Sequence, residues 1–132
     1  MTRLFATIGL ILTLAWPAAA DEAKIQATIS SQIDAFLVDD FGEAFTFASP
    51  SIKRIFRTPE NFGRMVSQGY PMVWRPADVK YLELREEAGA LIQKVLITDQ
   101  EGALHVLEYR MIETGDGWKI NGVSLLDAPV SA

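Results

Sequence analysis

The fold of this chain depends on one stretch, Asp39–Pro76, which reads DDFGEAFTFASPSIKRIFRTPENFGRMVSQGYPMVWRP. It holds more than half of the aromatic residues and four of the 6 prolines. Three helix-start signals divide it. Asp40 followed by Glu43 is typical of a capping box, and Ser49-Pro50 and Thr58-Pro59 each place a capping hydroxyl before a proline at the first helical position. The stretch therefore predicts three short helices.

Each of these helices carries an apolar stripe at helical spacing, formed in turn by Phe41, Ala44, Phe45 and Ala48, by Ile52, Ile55 and Phe56, and by Phe62, Met65 and Val66. We expect Gly69 to end the third helix, because glycine accepts positive φ. Tyr70-Pro71 and Arg75-Pro76 predict extended backbone, because the residue before a proline is excluded from the helical region. Short helices with such large apolar residues need an apolar sheet to lie on.

Charge is segregated in the same stretch. Between Pro50 and Pro76 a single acidic residue, Glu60, stands against the cations Lys53, Arg54, Arg57, Arg64 and Arg75, and the flanking segments are acidic. One interpretation is a solvated helical face. The other is a basic surface that faces an anion, such as an acidic exported protein, an anionic ligand or lipid head groups.

Length and composition limit the function classes. The 132 residues are 49% hydrophobic and 22% charged, which predicts one folded domain over residues 21–132 with a loose tail at 126–132. A net charge of −5 argues against nucleic-acid binding. The chain has no cysteine, which excludes disulfides and thiol chemistry.

The first twenty residues predict an export signal. Arg3 precedes the apolar run Leu4–Leu14, Pro17 follows it, and Ala18-Ala19-Ala20 forms a small-residue cleavage pattern. We expect cleavage after Ala20 and a periplasmic or secreted mature protein. The alternative is an uncleaved anchor.

The remaining segments predict an α+β fold. Asp21–Val38 has a helical apolar stripe, and four strands joined by short turns follow it, at Val79–Glu86, Leu91–Thr98, Leu104–Glu113 and Trp118–Leu126. Such short connections require an antiparallel meander, in which Gly122 predicts a bulge or a bend. A curved sheet around helices forms a cone with an internal hollow, which we expect apolar residues of the first helix and the strands to line. Because the third strand is apolar on both faces, the second sheet face predicts an open surface or a homodimer contact.

Residues that carry catalytic chemistry are few. His105 is the single histidine, lies in a predicted strand, and is best interpreted as a structural or surface residue. No G-x-S-x-G surrounds a serine, and one histidine without cysteine predicts neither a metal site nor a cofactor. Asp34 and Asp39 are the candidate general bases; the alternative is that Asp34 is a solvated helix residue and that capping accounts for Asp39.

Aromatic and cationic side chains suggest a ligand site instead. Tyr70, Trp74 and Arg75 suit the mouth of a pocket, because the aromatics carry one polar atom each and Arg binds carboxylates. We expect Tyr109 and Arg110 near the same mouth. The alternative is that Tyr70 and Trp74 cover the sheet edge while Arg75 pairs with Asp78 or a glutamate.

Four blocks of this sequence resemble the bacterial domain of unknown function 4864 family: Ile29–Phe36 (ISSQIDAF), Ala44–Ile52 (AFTFASPSI), Phe62–Val66 (FGRMV) and Gly69–Pro76 (GYPMVWRP). The resemblance covers nearly the whole mature chain. It implies the cone-shaped, cystatin-like α+β fold of the nuclear transport factor 2-like, or SnoaL-like, superfamily. That superfamily includes isomerases, cyclases, dehydratases and non-catalytic binding modules, so the resemblance implies a pocket and assigns no catalytic residue.

Two functions therefore compete. In the first, the protein is a non-catalytic exported module that binds a small ligand or a protein partner. In the second, it is a small pocket enzyme that works by acid–base chemistry. The absence of a nucleophile motif, a metal cluster or a phosphate loop favours the first.

Overall fold

The computed structural model describes residues 19–126. The predicted leader, apart from Ala19 and Ala20, and the predicted tail beyond Leu126 lie outside the described residues. The described elements are, in chain order, α1 (Ala19–Leu37), α2 (Phe41–Thr46), α3 (Pro50–Phe56), α4 (Pro59–Gly69), α5 (Pro71–Trp74), β1 (Asp78–Glu87), β2 (Ala90–Thr98), β3 (Leu104–Thr114) and β4 (Gly117–Leu126).

The four strands form one open sheet in the order β1-β2-β3-β4, with every neighbouring pair antiparallel. This confirms the predicted α+β class and the meander. Each strand begins and ends within one residue of its predicted bounds. The turn between β1 and β2 shows why the meander is so tight: Ala88 and Gly89 both have positive φ, 50° and 81°, as a two-residue hairpin requires.

The core lies between the helices and one face of the sheet. Residues on that face are paired across the strands, as Val95 is with Leu107 and Gln93 with Tyr109. The apolar stripe of α1 packs against them, with Ile25 and Ile29 fully buried. Burial of this stripe, rather than helix propensity, fixes α1 on the sheet. Within the described chain, the other sheet face is covered by no element.

All three predicted helix starts are present. The side chains of Asp40, Ser49 and Thr58 accept hydrogen bonds from the amides of the residues three positions further on, at 3.1, 3.2 and 3.1 Å. The reciprocal half of the capping box differs from the expectation. The Asp40 amide donates to the Ala35 carbonyl at 2.9 Å, so that donor is already paired without the Glu43 side chain.

The segment after α4 corrects the prediction of extended backbone. Tyr70 and Arg75, the residues before the two prolines, are non-helical as expected, with φ of −134° and −138°. Between them, however, Pro71–Trp74 forms the one-turn helix α5, because Pro71 has the φ that a first helical position needs. Gly69 is the last residue of α4 and does not adopt positive φ. Helix α4 therefore ends because Tyr70, which precedes Pro71, is non-helical.

Two bulges curve the sheet. Near Gly122, Arg110 pairs with Gly122 and Met111 with Ile120, which leaves Asn121 as the extra residue and confirms the predicted bulge. In β1 the register shifts between Tyr81 and Leu84.

Buried or half-buried polar side chains hold both bulges. The Ser49 hydroxyl donates to Asn121 Oδ1 at 2.7 Å, which ties the start of α3 to β4. At the bulge in β1, the buried Gln93 amide of β2 donates to the Leu82 and Lys94 carbonyls at 3.0 and 2.9 Å.

Candidate functional site

An apolar hollow of ≈ 260 Å³ lies between α3, α4 and the concave face of the sheet. Its walls are formed by Ile52, Ile55, Phe56, Phe62, Met65, Val66, Tyr70 and Val73, and the remaining lining residues are Gln32, Ala48, Tyr109, Ile120, Gly122 and Val123. Ile55 is the exposed residue of this lining, at 67%, and we infer that the hollow opens to solvent beside it. The expectation that α1 lines it is wrong except for Gln32, because the apolar stripe of α1 is already packed on the sheet.

The Tyr109 side chain lies in the sheet lining of the hollow. It is completely buried, and within the described residues its hydroxyl has no hydrogen-bond partner. Burial raises the pKa of this phenol, and the nearby Tyr81 and Tyr70 raise it further. The hydroxyl is therefore a neutral donor at physiological pH. A buried, unpaired hydroxyl is costly, which makes Tyr109 the most informative residue of the hollow. It lies in the interior rather than at the mouth, where the sequence analysis placed it.

The other polar groups of the hollow are already engaged. The Tyr70 hydroxyl donates to the Val123 carbonyl at 3.3 Å, and the Gln32 amide donates to the Ala44 carbonyl at 3.1 Å. Sequence reasoning missed Gln32. The available signal was its position on the stripe between Ile29 and Ile33, where a polar residue must be buried.

Trp74 and Arg75 form a cluster with Asp39, and neither is among the lining residues of the hollow. Asp39 Oδ1 accepts hydrogen bonds from Trp74 Nε1 at 2.8 Å and from an Arg75 guanidinium nitrogen at 2.9 Å. Arg75 also donates to the Phe36 carbonyl at 2.6 Å, and its guanidinium lies 4.0 Å from the centre of the Trp74 ring. The cluster therefore joins the C-terminal end of α1 to α5.

The geometry of this cluster determines the chemistry of Asp39. The hydrogen bonds from Trp74 and then from Arg75 lower the pKa of the Asp39 carboxyl below its ordinary value. Its backbone has φ of 55°, a left-handed conformation that aspartate tolerates better than most residues. An exposed carboxylate with a lowered pKa is a poor general base. Arg75 pairs with Asp39, and not with Asp78 or a glutamate as the alternative expectation had it.

The model of the family described as Domain of unknown function (DUF4864) matches residues 18–132. The chain belongs to this family. Comparisons with curated proteins and with solved structures give no significant match.

Two of the sequence blocks that resemble DUF4864 hold the helices of the domain in place. Ala44–Ile52 contains Ser49, which ties α3 to β4, and Gly69–Pro76 contains Trp74 and Arg75 of the cluster with Asp39.

The second candidate base of this DUF4864 domain, Asp34, also lies outside the hollow. It is exposed on α1 and lines a separate groove between α1 and β1, together with Ser30, Asp78 and Tyr81. In that groove the Tyr81 hydroxyl is hydrogen-bonded to Ser30 and donates to the Gln26 carbonyl at 3.1 Å. No carboxylate and no histidine is among the described residues that line the hollow.

His105 lies at the end of the sheet, away from the hollow. Its Nε2 is 2.8 Å from Asp99 Oδ2, while Asp99 Oδ1 accepts from the Glu101 and Ala103 amides at 2.9 Å each. The pair thus stabilises the turn between β2 and β3. Within residues 19–126, no three His, Asp or Glu side chains are arranged to hold a metal ion.

Arg110 is not part of the hollow. It is exposed on the outer sheet face, opposite to the face that Tyr109 shares with the helices. The sequence analysis placed the two residues together, but neighbours in a strand point to opposite faces. On the outer face Arg85 forms ion pairs with Glu87 and Glu108, and Lys94 pairs with Glu83 at 2.9 Å.

The predicted basic surface is formed by α3, by Arg57, which directly follows α3, and by α4. Arg54, Arg57 and Arg64 are exposed and Lys53 is half-buried. Among the ion pairs of residues 19–126, none involves these four cations. In the described part of the chain, no helix combines the length and apolarity of a membrane span.

Proposed function

We propose that this protein is an exported, non-catalytic module that holds a small, mainly apolar ligand in the hollow between α3, α4 and the sheet. One observation carries the proposal: Tyr109 is among the residues that line this apolar hollow, and its buried hydroxyl has no partner among the described residues. A ligand with one hydrogen-bond acceptor would satisfy the hydroxyl, and its apolar part would cover the surrounding side chains.

The size of the hollow limits the ligand. An enclosed apolar cavity of about 150 Å³ accepts benzene. By the same ratio, a hollow of ≈ 260 Å³ suits roughly ten non-hydrogen atoms. The opening beside Ile55 allows a longer ligand to extend into solvent. A medium-chain ketone, aldehyde or alcohol has both the required size and the single polar atom.

The alternative proposal is a pocket enzyme of the isomerase, dehydratase or cyclase type. Such an enzyme needs a base within reach of the bound substrate. The two candidate bases, Asp34 and Asp39, lie outside the hollow, and its described lining carries only phenols, one amide and apolar groups. The positions of these two carboxylates favour the non-catalytic binding module over the enzyme.

The proposed fold family is the nuclear transport factor 2-like superfamily. Support comes from the order of elements, helices followed by a curved four-stranded meander, and from the hollow that they enclose. The proposal of export rests on the sequence Arg3–Ala20. Cleavage after Ala20 would leave the buried stripe of α1, which starts at Ile25, intact. Intact mass of the protein from its host should begin at Asp21.

Native mass spectrometry of the protein purified from its own host tests the ligand proposal. We expect a co-purifying small molecule, and a rise in melting temperature with nonan-2-one, a ketone of about the required size. Val123→Trp should abolish both effects, because Val123 lines the hollow beside Tyr109. Ser124→Trp is the matched control, since Ser124 lies next to it on the outer sheet face. Retention of nonan-2-one by the Val123→Trp chain would contradict the proposal.

A second pair of variants tests the role of the Tyr109 hydroxyl. Tyr109→Phe should weaken nonan-2-one binding roughly 5- to 10-fold, the effect of one hydrogen bond. The same change should leave the empty chain as stable as before or more stable, because it removes a buried unpaired hydroxyl. Tyr81→Phe is the control: it should cost about 1 kcal/mol of stability, because the Tyr81 hydroxyl is hydrogen-bonded, and leave binding unchanged.

A further inference from the structure

The solvent side of α3 combines an apolar side chain with positive charge. None of its residues is fully buried, although Ile52 and Phe56 line the hollow. Ile55, on the rim of the hollow, is 67% exposed. We call Lys53, Arg54, Ile55, Arg57 and Arg64 together the α3–α4 surface.

The cations of the α3–α4 surface are available to an external partner. The Arg54 side chain donates a hydrogen bond to the Ser51 hydroxyl at 3.3 Å, and the Arg64 side chain donates one to Asn61 Oδ1 at 3.4 Å. Within residues 19–126, neither arginine forms a salt bridge. The single acidic residue of α3 and α4 is Glu60, whereas the chain as a whole has a formal charge of −5. This asymmetry orients the molecule, because an anionic surface attracts one side of the domain and repels the rest.

We propose that the α3–α4 surface docks on the anionic surface of a phospholipid membrane, with Ile55 inserted among the head groups. Such a membrane offers negative charge at its surface and an apolar layer directly beneath it, which matches the cations of α3 and α4 together with the exposed Ile55. The hollow opens at the same residue, so docking would place its mouth against the lipid. Only this last consequence, access of an apolar ligand from the bilayer, rests on the proposed function.

The geometry predicts weak and reversible docking. Only one large apolar side chain, Ile55, is exposed on α3 and α4. Most of the attraction is therefore electrostatic, and it acts over a Debye length of about 8 Å at physiological salt. Binding should depend on the fraction of anionic lipid and should fall steeply as salt is raised.

Co-sedimentation with vesicles tests the proposal on the protein as its host produces it, with the N-terminus verified by intact mass. Vesicles contain phosphatidylglycerol in phosphatidylethanolamine, or phosphatidylcholine alone. We expect binding to the anionic vesicles only. Arg54→Gln/Arg64→Gln should reduce that binding roughly 25-fold, since each cation near the surface contributes roughly fivefold.

The matched control is Lys80→Gln/Arg110→Gln, which removes the same charge from exposed positions on the outer sheet face. It should leave vesicle binding unchanged, and because it has the same N-terminus, any contribution of that segment is common to both double variants. Ile55→Ser should weaken binding to anionic vesicles roughly tenfold, since it removes an inserted apolar side chain.

Two results would overturn the proposal: equal binding of the two double variants, or no binding of the native chain to anionic vesicles. The second would leave an acidic protein as the partner of the α3–α4 surface. Failure of the ligand proposal has a different signature, because a chain that sediments with anionic vesicles but is not stabilised by nonan-2-one docks without holding this ligand.

Discussion

The Asp39 carboxylate joins residues from two distant segments of the chain. It accepts hydrogen bonds from Trp74 and Arg75, which hold its pKa below the ordinary value of 3.8. A carboxyl with a lower pKa in the folded state than in the unfolded state stabilises the fold above the unfolded pKa, and this contribution is lost as the pH falls. We therefore expect the cluster to lose strength below about pH 4.

Asp39→Asn tests this expectation at the scale of the residue. Asparagine keeps the side-chain oxygen and tolerates the φ of 55°, but it cannot be protonated in this range. The variant should be less stable than the native chain at pH 7 and should lose less stability between pH 6 and pH 3, as measured by urea denaturation. Asp34→Asn, which removes an exposed carboxylate from α1, is the control. If the pH dependence of stability is unchanged in Asp39→Asn, the ionised Asp39 carboxylate contributes nothing to the stability of the fold.

At the same scale, the sequence predicted residue types better than partners. Trp74 and Arg75 stand out by composition, and the two expectations were a pocket mouth or an ion pair with Asp78 or a glutamate. The partner is Asp39, more than thirty residues away. A pairing over that distance depends on how α5 packs against the end of α1, which no local pattern encodes. The Tyr109 hydroxyl, which has no partner within residues 19–126, was equally unpredictable, because hydrogen-bond pairing in the interior depends on tertiary packing.

At the scale of the element, helix α4 depends on a glycine. Gly63 is buried where α4 packs on α2, and a Cβ built there would lie 2.5 Å from Cγ of Phe41. Such an atom cannot fit unless the Phe41 ring moves, and that ring lies 6.3 Å from the Phe36 ring in the core. We expect Gly63→Ala to destabilise the chain by about 1–2 kcal/mol, even after the gain in helix propensity.

The control for this change lies in the same helix. At Gly69 a Cβ would meet nothing within 4 Å, and the backbone does not have positive φ. Gly69→Ala should therefore be neutral or stabilise the chain by up to about 1 kcal/mol. Urea denaturation of both variants measures the difference. Equal stability of the two would mean that α2 and α4 repack freely, and that the contact with Phe41 does not fix their separation.

Elements were the most predictable part of the fold. Strand bounds agree within one residue because the alternation and the turn residues are local signals. The starts of α2, α3 and α4 were also predictable, because capping depends on residues within one turn. Helix α5 was missed, because Pro71 and Pro76 both restrict the residue before them, and the prediction gave this restriction more weight than the helix-starting property of Pro71. The lining of the hollow was predicted poorly, since the packing of α3 and α4 over the sheet is a tertiary property.

At the scale of the whole molecule, the outer face of the sheet remains to be explained. Leu96, Val106 and Leu126 are paired across three neighbouring strands and form an apolar row on that face. Leu104 and Leu126 are exposed by 40% and 36%. The charged pairs of Arg85 and Lys94 lie further along the same strands. Apolar rows beside ordered charges suit an isologous contact, in which the same surface of two copies meets around a two-fold axis.

We therefore expect the protein to form a dimer through this face, and light scattering at increasing concentration measures it. Val106→Glu should produce a monomer, because Val106 is the centre of the apolar row and two copies would bring carboxylates together. Ala27→Glu, which adds the same charge to the exposed side of α1, should remain a dimer. A native chain that stays monomeric at high concentration would contradict the prediction. A Val106→Glu dimer would instead place the contact elsewhere, with the α3–α4 surface then the next site to test by the Arg54→Gln/Arg64→Gln variant.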